Sequence, residues 1–119
     1  MPTVLLHDLL DGLAQRPEVL GAAVVSDEGL VIEQALAHHL DAEALAALAT
    51  TLLRHGSELG VSGGLGPLGV AVFDFATGPA ILAALEGGAS LLLLTRDDVN
   101  IGELLYTVRM HRATIASLL

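Results

Sequence analysis

The side chains best equipped for chemistry are five histidines, a few paired carboxylates and one glycine-rich loop. His38 and His39 are adjacent, and neighbouring positions rarely turn both rings toward one ion. No His-x-x-x-His or Glu-x-x-His pair occurs anywhere. His55 is expected to be a partly buried packing residue. Ser26-Asp27 lacks the Gly-x-Ser-x-Gly setting that exposes a nucleophilic serine. Asp97-Asp98 precede an expected helix, where negative charge favours the dipole; two carboxylates without further spaced oxygens make a weak cation site. Gly64-Leu65-Gly66-Pro67-Leu68-Gly69 fits the spacing G-x-G-x-x-G, but a dinucleotide loop must leave a strand and open a helix. Here the order is reversed, and Pro67 removes a phosphate-binding N–H. With no lysine, a P-loop cannot be built, and with no cysteine, thiolate catalysis, disulfides and Cys-based metal sites are excluded. No nucleophile, base and orienting group can be named together. The chain is therefore expected to act without catalysis, with no catalytic, cofactor-binding or metal-binding residue assigned.

Composition narrows the alternatives. The 119 residues suit one domain, residues 1–119, and apolar residues make up 53% of them. That is more than so small a monomer readily buries, because small domains have much surface per volume. The surplus calls for a subunit interface, a membrane or a ligand cavity. Charges and Gly/Pro clusters interrupt every long apolar run, so no membrane insertion is expected. No basic stretch leads into an apolar segment at the N-terminus, so the cytoplasm is the expected compartment. The net charge of −9, with five scattered arginines as the only strong cations, opposes binding to nucleic acid or to anionic membranes. It favours a partner with a basic face, or serves solubility.

These features sit on a simple element order. Pro2-Thr3 opens a first helix, with Thr3 as its cap, and Leu5, Leu6, Leu9, Leu10 and Leu13 recur at helical spacing up to Pro17. Gly21 to Ser26 and Leu30 to Gln34 read as a hairpin around Asp27-Glu28-Gly29. Asp41 caps a second helix to Leu59, and Gly60 to Gly66 is a glycine-dense, flexible loop. Leu68–Phe75, Ala80–Glu86 and Ala89–Thr95 form an antiparallel meander. Asn100 caps a final helix, with Glu103 reaching back. The expected fold is α+β, a three-layer α/β/α sandwich of order α-β-β-α-β-β-β-α. Its five-stranded antiparallel sheet carries the first and last helices on one face and the second helix on the other.

The second helix is apolar over roughly 200°, where a simple surface helix needs about 100°. Leu45, Leu48, Leu52 and Leu59 fall on one line, assigned to the sheet. Ala42, Ala46, Ala49 and Leu53 fall beside it, and their mostly small side chains would let a second copy of the helix approach closely. That flank is assigned to a homodimer interface. Among the remaining positions, Arg54 is a candidate partner contact. Arg112 is another; the simpler expectation for it is a salt bridge to Asp8 or Asp11.

Leu20-Gly21-Ala22-Ala23-Val24-Val25-Ser26-Asp27-Glu28-Gly29-Leu30-Val31-Ile32, after Pro17-Glu18-Val19, resembles the opening hairpin of the roadblock/dynein-light-chain family. The entry carries one residue more than the family's pattern. Leu45-Ala46-Ala47-Leu48-Ala49 is similar to the family's alanine-rich second helix, and Asn100-Ile101-Gly102-Glu103 to the start of its last helix. The resemblance spans essentially the whole chain. It implies dimers without catalytic machinery or cofactor, whose second helices pack together and whose third strands pair edge to edge. On this sequence the pairing strand would be Leu68 to Phe75, placing Leu68, Val70, Val72 and Phe73 in the interface. An exposed apolar edge would otherwise invite aggregation. The resemblance also implies a small Ras-like GTPase as partner, as in bacterial polarity and gliding-motility members. Hydrolysis would then be altered by ordering the GTPase's own residues, since no arginine here stands out as a donated finger. The sequence ends just after the last helix, so the C-terminal extension of the gliding-motility subtype is not expected. A cargo or assembly adaptor, as in dynein-associated members, is the alternative function. A small-molecule sensor is a third, and would need a pocket with converging polar groups.

Overall fold

The computed structural model describes residues 5–119. Helix α1 (Leu6–Ala14) is followed by the hairpin β1 (Val19–Val25) and β2 (Val31–Ala35), then by helix α2 (Ala42–Ser62). Strands β3 (Val70–Phe75), β4 (Gly78–Ala84) and β5 (Ser90–Thr95) come next, and helix α3 (Ile101–Ser117) closes the chain. This is the expected order. The strands lie β2-β1-β5-β4-β3, and every neighbouring pair is antiparallel.

Local chemistry explains most boundaries. The Ser26 Oγ accepts from the backbone N–H groups of Glu28 and Leu30, and Gly29 takes a φ of 85° that closes the hairpin. Asp41 caps α2 by accepting from Ala44 N–H at 3.1 Å, and Asn100 caps α3 by accepting from Glu103 N–H at 3.1 Å. The reciprocal half of the expected capping box is not made: the Glu103 carboxylate lies 3.7 Å from Arg16 instead. Thr3, the expected cap of α1, lies outside the described residues. The glycine loop after α2 makes a specific backbone contact. Leu65 N–H donates to Gly60 C=O at 2.7 Å, so the loop folds back on the helix. A Cβ on Gly60 would stand 2.2 Å from the Gly66 carbonyl oxygen, so only glycine fits there.

Two cores follow from strand alternation. Ala22, Val24, Ile81, Ala83, Leu91 and Leu93 join the buried side chains of α1 and α3. Ala23, Val25, Leu82 and Leu92 meet Ala46, Ala49 and Leu53 of α2. The first and last helices thus share one face and α2 covers the other. Strands β1, β4 and β5 are covered on both sides, which is why they read as continuous apolar runs.

Candidate self-association surface

Helix α2 positions the surface, and it does so by reversing the expected roles of its two apolar lines. Ala46 and Ala49 are each 1% exposed and Leu53 is buried, whereas Leu48, Leu52 and Leu59 are 59%, 41% and 76% exposed. Ala46, Ala49 and Leu53, expected at a dimer interface, pack on the chain's own sheet. Ala42, on the same line, is half-buried. Of the leucine line only Leu45 packs on the core. The physical reason is approach distance. Small residues let the helix axis lie close to the sheet, and the stripe runs on through two glycines. Gly56 faces Leu68, where an added Cβ would meet Leu68 Cδ2 at 3.1 Å, and Gly60 faces Gly66. Glycines on the alanine line were the signal in the sequence that this side seats against the domain itself.

The displaced leucines lie on the flank of α2 that leans toward β4 and β3. At about 100° per residue, Leu48, Leu52 and Leu59 fall next to Leu45 on the wheel, and Leu45 packs on the cluster that Phe73 and Leu94 also join. Ala46, on the opposite flank, packs toward Ala23, Val25 and Val31 of β1 and β2. Beyond Leu45 the sheet continues into β3. There Phe73 and Phe75 point to the same side, their rings stacked with centroids 6.3 Å apart, and Phe75 is exposed. The leucine flank and Phe75 are therefore exposed apolar side chains on the same α2 face of the sheet.

Strand β3 lies at the end of the sheet. Among the described residues it is an edge strand hydrogen-bonded only to β4, from Val70 opposite Ala83 to Phe75 opposite Gly78. The side chains assigned to an interface there divide. Leu68 and Phe73 pack in part on the α2-side core, Val70 packs on the α1/α3 core, and Val72 is exposed on the α1/α3 face. Along this strand it is the open backbone edge, together with Val72 and Phe75, that is available to a second chain.

The remaining candidate side chains disperse. Arg54 is exposed beside a shallow cleft that Asp27, Thr50 and Ser57 also line. Arg112 makes neither expected salt bridge; its Nε donates to the Ala84 carbonyl oxygen at 2.9 Å. Asp11 pairs with His7 at 3.0 Å, and the His7 Nδ1 lies 3.3 Å from Glu33 on β2. The hydrogen bond to Glu33, then the charge of Asp11, raises the His7 pKa above its ordinary value. His55 is exposed and faces Glu58 at 3.4 Å, contrary to the expected packing role. On the wheel it adjoins Leu48 at the margin of the leucine flank, which itself is not buried. His38 and His39 are exposed. Among the described residues no three His, Asp or Glu side chains gather as a ligand set, and no helix is long and apolar enough to cross a membrane. The glycine-rich segment leaves α2 and enters β3, the reverse of a dinucleotide-binding loop.

Comparison with known proteins places this geometry. The family model for the Roadblock/LC7 domain matches residues 5–95. Among solved structures, a Roadblock/LC7 domain from Streptomyces avermitilis is 27% identical with a TM-score of 0.77, covering 96% of this chain and 93% of that one. A second structure of a Roadblock/LC7 domain from that organism is 30% identical with a TM-score of 0.68, covering 98% and 100%. MglB of Myxococcus xanthus shares the fold with a TM-score of 0.87 at 13% identity, covering 95% and 93%. No curated protein matches the sequence.

Proposed function

The chain belongs to the Roadblock/LC7 family, and from that premise we propose that it is a non-catalytic homodimeric scaffold that binds and regulates a small Ras-like GTPase. The family is generally non-catalytic. The observation that carries the self-association is the apolar surface of the α2 face: Leu48, Leu52 and Leu59 exposed on α2, Phe75 exposed on β3, and the open edge of β3 at the end of the sheet. Exposed apolar surface together with a free strand edge is a hazard in a monomer and an interface in a dimer. In a twofold pair, the exposed leucines of the two α2 helices pack on one another while the β3 edges meet, so the helix flank and the strand edge are covered together.

In this reading the GTPase engages a surface that exists only when two copies are joined. Regulation then consists of holding the GTPase's own residues in one arrangement. The test has two stages. Light scattering should give a dimer, and Leu52→Glu should give a folded monomer. The dimer, but not that monomer, should then bind a Ras-like GTPase from the same organism and change its rate of GTP hydrolysis. A wild-type monomer at micromolar concentration would sink the self-association. A dimer that neither binds nor alters such GTPases would remove the regulatory role and leave an assembly adaptor.

A further inference from the structure

The α1/α3 face carries a chemistry unlike that of the α2 face. Residues 104–119 include Arg109, His111 and Arg112 but no Asp or Glu, in a chain of net charge −9. Arg109 and Arg112 are three residues apart, so they share one side of α3. Both line an open cleft of about 300 Å³, walled opposite by Ala84, Leu85 and Glu86. The hydrogen bond from Arg112 Nε to Ala84 C=O fixes the plane of the guanidinium, and Nη1 lies beside Gly69, where an added Cβ would stand 3.7 Å away. Arg112 is half-buried and Arg109 exposed, and among the described residues neither has a carboxylate within 4.0 Å.

A guanidinium offers several N–H donors in a planar fork, and the Ala84 bond engages only the one on Nε. A half-buried cation without a counter-charge is the costly half of an ion pair, and supplying the missing anion recovers that cost. Next to the cleft, Tyr106 and Met110 stand exposed one turn apart on the crest of α3. Tyrosine, methionine and arginine are the side chains that concentrate at protein interfaces.

We propose that the Arg109–Arg112 cleft binds a carboxylate side chain, and that its occupant is an acidic segment of a partner protein whose apolar residues lie on Tyr106 and Met110. Charge complementarity selects the occupant. Two adjacent cations match one carboxylate held by paired hydrogen bonds. A nucleic acid or an anionic membrane presents many negative groups over a wide surface and would meet the repulsion of the acidic remainder of the chain, whereas one carboxylate on a short segment meets only the local pair of arginines. Glu86, on the far wall, limits the cleft to a single negative group. The site lies on the sheet face opposite α2, so it does not depend on the self-association described above.

Fluorescence anisotropy tests the site with a labelled helical peptide carrying Glu and Leu at i, i+4 spacing. The same peptide with Gln for Glu is the control, and inorganic phosphate is the competitor. The Glu peptide should bind about tenfold more tightly than the Gln peptide, and Arg109→Glu and Arg112→Gln should each weaken it about tenfold. Tyr106→Ala should weaken both peptides, and Glu86→Gln should tighten the Glu peptide. Because Arg109 is exposed, its variant should melt as the wild type does, so a loss of binding there is not a loss of folding. No binding up to millimolar peptide, equal affinity for the two peptides, or an unaltered Arg109→Glu would overturn the proposal. Displacement of the peptide by phosphate at comparable concentration would reassign the cleft to a phosphate group and overturn it as well.

Discussion

At the scale of single residues, Ala49 and Leu52 carry opposite roles although they lie three positions apart on α2. Ala49 touches the sheet among Leu82 and Leu92, so Ala49→Glu buries a carboxylate without a partner. It should destabilise the fold by about 4 kcal/mol or more, seen as a lost or strongly lowered thermal transition. Leu52→Glu adds the same charge to an exposed site. It should leave the melting of the separate domain nearly unchanged while raising the dimer dissociation constant about 100-fold, measured by sedimentation. If instead Ala49→Glu folds and Leu52→Glu stays dimeric, the two faces have been exchanged. Ser90 offers a smaller test. Its Oγ is buried with no hydrogen-bond partner among the described residues, so Ser90→Ala should be neutral or stabilising by up to about 1 kcal/mol in urea unfolding. His7 sets a pH dependence. Its pKa is raised from 6.5 by Glu33 and Asp11, so its contribution is complete below that value. That contribution is lost as pH rises through the folded-state pKa. His7→Gln should therefore lower the melting temperature at about pH 5.5 and leave it unchanged at about pH 8.5. Equal effects at both pH values would show that the ring acts by packing alone. Because the site is exposed, added salt should shrink the effect.

At the scale of elements, α2 is a helix with two apolar lines, one buried and one exposed. The line of small residues seats on the sheet, and the leucines that would hold the helix away from it remain on the flank. Its ends are fixed by separate devices. Asp41→Ala should cost about 1 kcal/mol through the lost cap, and Asp41→Ser should restore most of it. At the other end, Gly60→Ala sets a Cβ against the Gly66 carbonyl oxygen and should free the loop that leads into β3. Since β3 is the edge at which pairing is proposed, that variant should weaken self-association more than it lowers the stability of the separate domain. Light scattering read beside a melting curve separates the two effects.

At the scale of the whole molecule, the sheet has two exposed margins, β2 and β3, with α2 covering one face and α1 and α3 the other. The apolar surplus of the composition is not absorbed by the cores. Part of it appears on the surface of α2 and β3 and on the crest of α3, and part on the β1–β2 hairpin and the glycine loop. The α2 and α3 patches differ in their surroundings: the α2 patch shares its sheet face with a free strand edge, while the α3 patch borders two arginines. Such different margins suit different occupants, a second copy for one and an acidic partner for the other. Binding of the acidic peptide should accordingly survive Leu52→Glu, because the two patches lie on opposite faces of the sheet.

The order of elements, the hairpin turn, the caps at Asp41 and Asn100 and the division of helices between faces were all legible in the chain. Periodicity, turn residues and capping side chains act over a few neighbouring positions, and the sequence states those directly. Which stripe of α2 meets the sheet was not legible, because both stripes are apolar, and the choice depends on how closely the helix can approach a surface built from distant strands. The partners of Arg112, His55 and Glu103 were misread for the same reason. Their nearest charges and carbonyls are set by packing between elements, which local spacing does not encode. Hydrophobic pattern alone therefore determined that α2 carries two apolar lines, and only the tertiary structure decided that alanine and glycine take the inner side and leucine the outer.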